Sequence, residues 1–315
     1  MMGTDGLIAL DWGTSSLRAW LVSPNGTVRA ARQEGWGIMH LPEGGYPVAY
    51  AAITEGWHDR ARPAIACGMV GSRQGWLEVP YLPTPAGLET LAGCLRTIQT
   101  GAGLLHLVPG VLEGNDAAAP DVMRGEETQA VGAMRRLGGD ALLVLPGTHS
   151  KWARLQGHRL VSFETLMTGE LYALLSQHSI LGRAVAEAPE PATDVRDAAF
   201  DRGVLAAQDR GALARLFGAR ALMLTGAIEA GAALDYLSGL LIGEELRLAA
   251  PLLAGAARVA LTGDDRLCAR YVRAFQATGR GPPERIDNSA LQGLLDIAAA
   301  AGLVPSSPAL HQPGT

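Results

Sequence analysis

The sequence predicts an α/β protein whose two halves open on the same short pattern, and two stretches carry that prediction. Residues 7–10 form an apolar run that reads as a buried strand. Residues 11–16 follow as a polar turn around Gly13, and Leu17, Ala19 and Leu21 then alternate with outward positions as a half-buried returning strand does. After the Gly138-Gly139 break the order returns, with an apolar strand at 141–145, a polar turn at 146–150 and a returning strand at 151–155. Periodicity alone leaves an open α/β enzyme of another kind as an alternative, because strands mixed with helices at these spacings occur there too.

The remaining elements follow in order. Residues 28–32 continue the first hairpin, 48–57 read as helical, and 63–67 and 104–108 read as strands. A loop of small residues at 113–121 precedes a helix over 126–137. In the second half a helix starts near Thr168, where the hydroxyl serves as a candidate cap. Residues 236–248 carry helix-spaced apolar positions interrupted by Gly239 and Gly243, which permit close packing at a small propensity cost. Residues 257–264 read as strand then turn, 265–278 as a helix, and 288–301 as a last helix. The expected division is 1–138, 139–285, a C-terminal helix within 286–303, and a flexible tail at 304–315.

A chain of 315 residues buries about 75% of its unfolded surface, enough for one large or two ordinary domains. The formal charge of −5 leaves no basic footprint, which argues against nucleic acid and anionic membranes as partners. Cys67, Cys94 and Cys268 are widely spaced and odd in number, as buried thiols are, and unlike disulfide or zinc frameworks. No secretory leader pattern or membrane-length apolar run stands out, so a cytoplasmic protein is expected, with a homodimer as the candidate assembly. Lys151 is the only lysine, a composition that fits a GC-rich genome.

The first turn gathers one carboxylate, Asp11, with Gly13, Thr14, Ser15 and Ser16. Backbone N–H groups and hydroxyls in such a turn suit phosphate oxygens, and a carboxylate beside them suits hydrated Mg²⁺; a polar hairpin turn without a ligand is the alternative. Asp11-x-Gly13-Thr14-Ser15-x-x-Arg18 after an N-terminal strand resembles the first phosphate motif of the sugar kinase, Hsp70 and actin superfamily. Further segments narrow the likeness: Gly68-Met-Val-Gly71-Ser72 with Gly75-Trp76 and Val79-Pro-Tyr81, Met123-Arg-Gly-Glu-Glu-Thr-Gln129, Leu145-Pro-Gly-Thr-His-Ser-Lys-Trp152, Met167-Thr-Gly-Glu-Leu171, and Leu237-Ser-Gly-Leu-Leu-Ile-Gly243. In this order, from about residue 7 to about residue 303, they resemble the 2-dehydro-3-deoxygalactonokinase family.

The resemblance implies a two-domain actin-like ATPase (ribonuclease H-like) fold, with the duplicated strand-turn-strand phosphate motifs across an interdomain cleft and the last helix packed on the first domain. It implies ATP and Mg²⁺ as cofactors and a small sugar acid as substrate, phosphorylated on its terminal hydroxyl to a product an aldolase then cleaves in galactonate breakdown. Asp11 takes the metal and a catalytic role, while Gly13, Thr14, Ser15 and Arg18 hold nucleotide phosphates, with a salt bridge as the alternative for Arg18. Gly147, Thr148, His149 and Lys151 form the partner cradle, with a hydrogen-bonding turn residue as the alternative for His149 and a solvated strand lysine for Lys151, and Gly263 and Asp264 are candidate adenosine contacts, Asp264 alternatively a helix N-cap. Glu127 or its neighbour Glu126 is the expected base, since adjacent helical residues cannot both face one point. Gly71, Ser72, Trp76, Arg124, Thr168 and Glu170 are expected around the sugar acid, with Arg124 or Arg73 on its carboxylate. A phosphoanhydride hydrolase or a sugar-acid-binding regulator of the same superfamily is the alternative; a regulator's DNA-binding helix-turn-helix would have no room before Asp11.

Overall fold

A computed structural model of the chain describes residues 6–58, 62–114, 119–183, 185 and 188–305, which form two compact units. The first takes the described residues of Met1–Asp140, Ala153–Phe163 and Ile286–Thr315; the second takes those of Ala141–Trp152 and Glu164–Arg285.

The first unit is built on a six-stranded sheet in the order Val28–Glu34, Leu17–Val22, Leu7–Trp12, Ala64–Gly68, Gly103–Leu107, Arg96–Thr100. Leu7–Trp12 is buried nearly throughout, which explains why it reads as a continuous apolar run. It pairs antiparallel with its hairpin partner, Asp11 opposite Arg18, and parallel with Ala64–Gly68, Asp11 opposite Cys67. In the second unit Ala141–Leu145 repeats the arrangement. The chain then turns into the strand Ser150–Gln156, of which residues 150–152 belong to this unit, and the parallel strands Val259–Leu261 and Glu284–Arg285 follow on the other side of Ala141–Leu145. Each sheet thus runs hairpin, opening strand, parallel strand, which is the duplicated succession expected of an actin-like ATPase.

Two expectations need correction. Residues 153–163 belong to the first unit, not to the second half, because Arg159–Leu166 pairs antiparallel with Ala86–Gly87 through Arg159 opposite Gly87 and Leu160 opposite Ala86. The first helix spans Gly45–Ile53 rather than 48–57: Gly44 at φ 91 turns the chain into it, and Pro47 is tolerated in its first turn. Part of the expected small-residue loop at 113–121, namely 115–118, and all of the tail from residue 306 lie outside the described residues.

Glycines set the helix packing in both units. The helix Thr193–Arg210, not anticipated from the sequence, buries Ala199, Phe200, Gly203, Val204 and Ala207 along one face. It lies so close to Ala233–Leu248 that a Cβ on Gly203 would sit 2.1 Å from Tyr236 O, and one on Gly239 2.0 Å from Phe200 O. In the first unit the last helix, Ser289–Ala300, lies against Glu126–Leu137 in the same way: a Cβ on Gly132 would sit 2.0 Å from Ser289 O, and one on Gly293 1.9 Å from Thr128 O. Arg135 closes the pair with a 3.0 Å ion pair to the buried Asp296. The contact of Gly293 with Thr128 lies at the start of the helix that carries Glu127, and the Arg135 ion pair lies in its last turn.

Gly293→Ala therefore forces two backbones apart. We expect it to cost about 1–3 kcal/mol in urea unfolding, the usual range for overpacking. Gly139→Ala, where a Cβ meets nothing within 4 Å, serves as the control and should unfold like wild type.

Candidate functional site

The first turn closes through Gly13 N–H donating to Ser16 O at 2.9 Å, which leaves Thr14 and Ser15 exposed at its tip. Behind it the segment 36–39 acts as a brace. Ile38 N donates to Gly13 O and Met39 N to Thr14 O, both at 3.1 Å, and Trp12 Nε1 donates to Trp36 O at 2.8 Å. Gly37 has to be glycine there, since a Cβ would lie 2.3 Å from Thr14 O and Ser15 N. Asp11 precedes this turn with its side chain 14% exposed, and Arg18 sits opposite it as a 3.5 Å ion pair. The salt bridge named as the alternative for Arg18 thus exists, with Asp11 as its partner. Burial pushes the Asp11 carboxyl above its ordinary range, against the opposing pull of Arg18.

Cys67 links Asp11 to the glutamate pair. Its thiol lies 3.9 Å from Asp11 Oδ1, and burial together with the charges of Asp11 and Glu127 holds it well above the usual thiol range. The next residue, Gly68, turns at φ 90 and is met by Gly125, whose Cβ would lie 3.3 Å from Gly68 Cα. Gly125 leads directly into the helix Glu126–Leu137, so Glu127 is delivered beside the ends of the strands bearing Asp11 and Cys67. Glu127 is 1% exposed. Its Oε2 accepts from Gly125 N at 2.7 Å and its Oε1 from Thr128 Oγ1 at 2.9 Å. Burial, reinforced by the neighbouring Glu126, raises its carboxyl from 4.5 to about 7. Glu126 is half-buried and accepts from Arg124 N at 3.1 Å. The pair therefore divides into a buried carboxylate poised near neutrality and a partly solvated one at the helix start.

Arg124 and Ser72 supply the other notable feature of this unit. Arg124 is buried over the Tyr81 ring, 4.3 Å from its centroid, and donates from Nη2 to Val79 O at 2.7 Å. Its Nε and Nη1, like the buried Ser72 Oγ, find no hydrogen-bond partner among the described residues. Gly71 leaves room beside Nη1, from which a Cβ would be 3.1 Å away. Arg73 is exposed. Trp76 is half-buried and stacks on Tyr46 at 6.0 Å, edge-on to Trp12, so much of its ring packs under the first turn.

The second turn, in the other unit, is braced by the helix Thr168–His178. A Cβ on Gly169 would lie 2.4 Å from Gly147 O, Glu170 N donates to Thr148 O at 3.0 Å, and His149 Nε2 meets Glu170 Oε2 at 2.5 Å. Glu170 is thus engaged with the turn. Thr168 is not the helix cap: the helix has no side-chain cap bond, and the Thr168 hydroxyl donates to the buried Glu245. Lys151 is 4% exposed, with Nζ donating to Thr165 Oγ1 at 2.6 Å, a buried lysine rather than a solvated one. Asp264 caps the helix Asp265–Ala277 by accepting from Leu267 N at 3.1 Å, the alternative role named for it. It also lines, with Gly147, Thr168, Tyr172, Arg270 and Tyr271, a cavity of about 350 Å³. Gly263, at φ 148, packs on Pro146 O.

The family profile described as 2-keto-3-deoxy-galactonokinase matches residues 11–297. The chain belongs to this family. A relative from Rhizobium meliloti (strain 1021), named a probable 2-dehydro-3-deoxygalactonokinase, is 39% identical over 93% of this chain and 96% of its own. The 2-dehydro-3-deoxygalactonokinase of Escherichia coli (strain K12) is 34% identical over 93% and 97%. A crystal structure described as that of a "putative 2-dehydro-3-deoxygalactonokinase protein" from Sinorhizobium meliloti superposes with a TM-score of 0.82 at 38% identity, covering 94% of this chain and 98% of that one. The fold is accordingly the actin-like ATPase fold of sugar kinases.

In this galactonokinase-family chain, three supporting residues escaped the sequence reading. Gly37 carries no local signal, because only the three-dimensional course of 36–39 presses it on the turn. Cys67 was read as a plain buried thiol, although its register opposite Asp11 follows from parallel pairing. Glu245 stands two positions beyond the Leu237–Gly243 segment and in the sequence reads only as part of a helix.

Glu127→Gln separates chemistry from structure. The amide oxygen can keep Gly125 N while its NH₂ donates to Thr128 Oγ1, so packing survives. If Glu127 is the base that the resemblance implies, the change should lower turnover by ~10²–10⁴. The sign for stability is opposite. The raised carboxyl stabilises the fold fully below 4.5, and that contribution is lost as pH rises through about 7. The move corresponds to about 3 kcal/mol, so near pH 8 Glu127→Gln should melt above wild type while being far less active. Glu126→Gln should change both only mildly.

Proposed function

We propose that the chain transfers the terminal phosphoryl group of ATP to the 6-hydroxyl of 2-dehydro-3-deoxy-D-galactonate, giving the 6-phosphate and ADP. The observation that carries this reading is the grouping of Asp11, Cys67 and Glu127 within one unit, a carboxylate at a glycine and hydroxyl turn beside a buried carboxylate near neutrality. Phosphoryl transfer asks for little more than positioned phosphates, offset charge and a group to receive the hydroxyl proton. Glu127 suits that last role: at neutral pH a large fraction is ionised, and each oxygen has a lone pair beyond the one already used. The O6–H proton passes to Glu127 as the O6–P bond forms and the bond from that phosphorus to the bridging oxygen of ADP breaks.

Among the described residues no group of three or more His, Cys, Asp or Glu side chains that could hold a metal ion occurs. Mg²⁺ in kinases is commonly held by one or two carboxylates with waters and substrate phosphates, and the partly exposed Asp11 fits that mode. There the ion would supply charge neutralisation on the phosphates. Gly13, Thr14 and Ser15 in one unit, and Gly147, Thr148 and His149 in the other, offer turn N–H groups and hydroxyls to phosphate oxygens. The substrate is an acid, and Arg124 with Ser72 answers it better than Arg73, because buried donors without a partner among the described residues favour an oxyanion whereas an exposed arginine is satisfied by water. No helix among the described residues is long and apolar enough to cross a membrane.

A coupled assay of ADP release, with and without the keto-deoxy acid, tests the proposal. We expect release to depend on the acid, and Arg124→Met to raise its KM roughly 10- to 100-fold, as loss of a charged hydrogen bond does, while Arg73→Met changes little. Equal ADP release without the acid would instead indicate a hydrolase, and an unchanged KM in Arg124→Met would remove that residue from the acid's site.

A further inference from the structure

The carboxylate of Glu245 has no part in the chemistry above, yet four elements of the second unit converge on it. It stands on the helix Ala233–Leu248 and is 1% exposed. Its Oε1 accepts from Trp152 Nε1 at 2.7 Å, and its Oε2 accepts from Tyr271 OH at 2.7 Å and from Thr168 Oγ1. Tyr271 OH in turn shares a 2.9 Å hydrogen bond with Ser150 Oγ. These partners lie on the strand Ser150–Gln156, the helix Asp265–Ala277 and the first residue of the helix Thr168–His178.

Both sides of the second turn are tied to this one group. On one side Thr168 precedes Gly169, which presses on the Gly147 carbonyl, and Glu170, which binds the Thr148 carbonyl. On the other, Ser150 ends the turn, with its Oγ 3.5 Å from Gly147 N. Thr168, Tyr271 and Gly147 also line the 350 Å³ cavity. A carboxylate accepts from several donors at once and fixes the direction of each hydroxyl, which a neutral group of the same shape does not.

We infer that Glu245 is a positioning residue for the nucleotide: by holding Thr168, Tyr271 and Ser150 it presets the turn Gly147–Ser150 and the cavity beside it to receive a nucleoside di- or triphosphate. The inference rests on the kinase reading for the nucleotide's presence. Glu245→Gln keeps the volume but breaks the pattern. Trp152 N–H can only donate, so the amide oxygen must face it, and the NH₂ then faces Thr168 Oγ1 and Tyr271 OH, both of which must turn round to accept from it and so lose the directions the carboxylate had set.

The test is calorimetric titration of the full chain with ADP, together with steady-state kinetics in both substrates. For Glu245→Gln the ADP Kd and the KM for ATP should rise about tenfold or more, with the KM for the keto-deoxy acid within about twofold of wild type. A general loosening of the fold would not split the two KM values in this way. Should Glu245→Gln fail to fold, Tyr271→Phe, which removes one donor from the same carboxylate, is expected to raise the ADP Kd several-fold. ADP affinity equal to wild type in folded Glu245→Gln, or in Tyr271→Phe where that variant carries the test, overturns the inference. Absence of ADP binding by the wild type overturns the kinase reading itself, and this role with it.

Discussion

Two carboxylates, the partly exposed Asp11 and the buried Glu127, impose the constraint on which the first unit is organised. Burial penalises the ionised form of each, and an uncompensated buried charge would be relieved by moving into solvent. The backbone prevents that. Parallel pairing sets Asp11 beside Cys67, the positive-φ turn at Gly68 receives Gly125, and Gly125 starts the helix with Glu127 already inside. The last helix then locks this start in place through Gly293 against Thr128. Donors at Gly125 and Thr128 offset part of the cost of ionising Glu127, which leaves it near neutrality rather than permanently protonated.

The second unit meets a similar requirement by related means. Each strand-turn-strand motif has its turn backed by a glycine from another segment of its own unit: Gly37 on Thr14 and Ser15, Gly169 on Gly147 and Thr148. Behind the second turn a buried glutamate again collects donors, here Trp152, Thr168 and Tyr271. Turns held in this way have little ordering left to undergo, which suits the phosphate contacts proposed for them.

Much of the fold was legible because its central strands are apolar runs ended by polar turns, and the repeat of that pattern near residue 141 matches the repeated sheet order. The helix Thr193–Arg210 was missed for a physical reason: alanine and glycine make up most of its buried face, and their closeness of approach, not their hydrophobicity, drives the packing. The return of residues 153–163 to the first unit depends on pairing with the two-residue strand Ala86–Gly87, which has no periodic signature of its own. Candidate site residues could be located by motif, but not their state. That Glu127 rather than Glu126 is buried, that Arg124 rather than Arg73 keeps unpaired donors, and that Thr168 is committed to Glu245 all follow from long-range contacts.

The central claim is that Glu127 receives the hydroxyl proton from a buried position near neutrality, and the pH dependence of kcat/KM for the keto-deoxy acid tests it most directly. With ATP saturating, log kcat/KM should rise with a slope of one up to about pH 7 and level off above, the pattern of a base that must be ionised. A rate constant across about pH 5 to 8, where an ordinary exposed glutamate would already be ionised, would contradict the account.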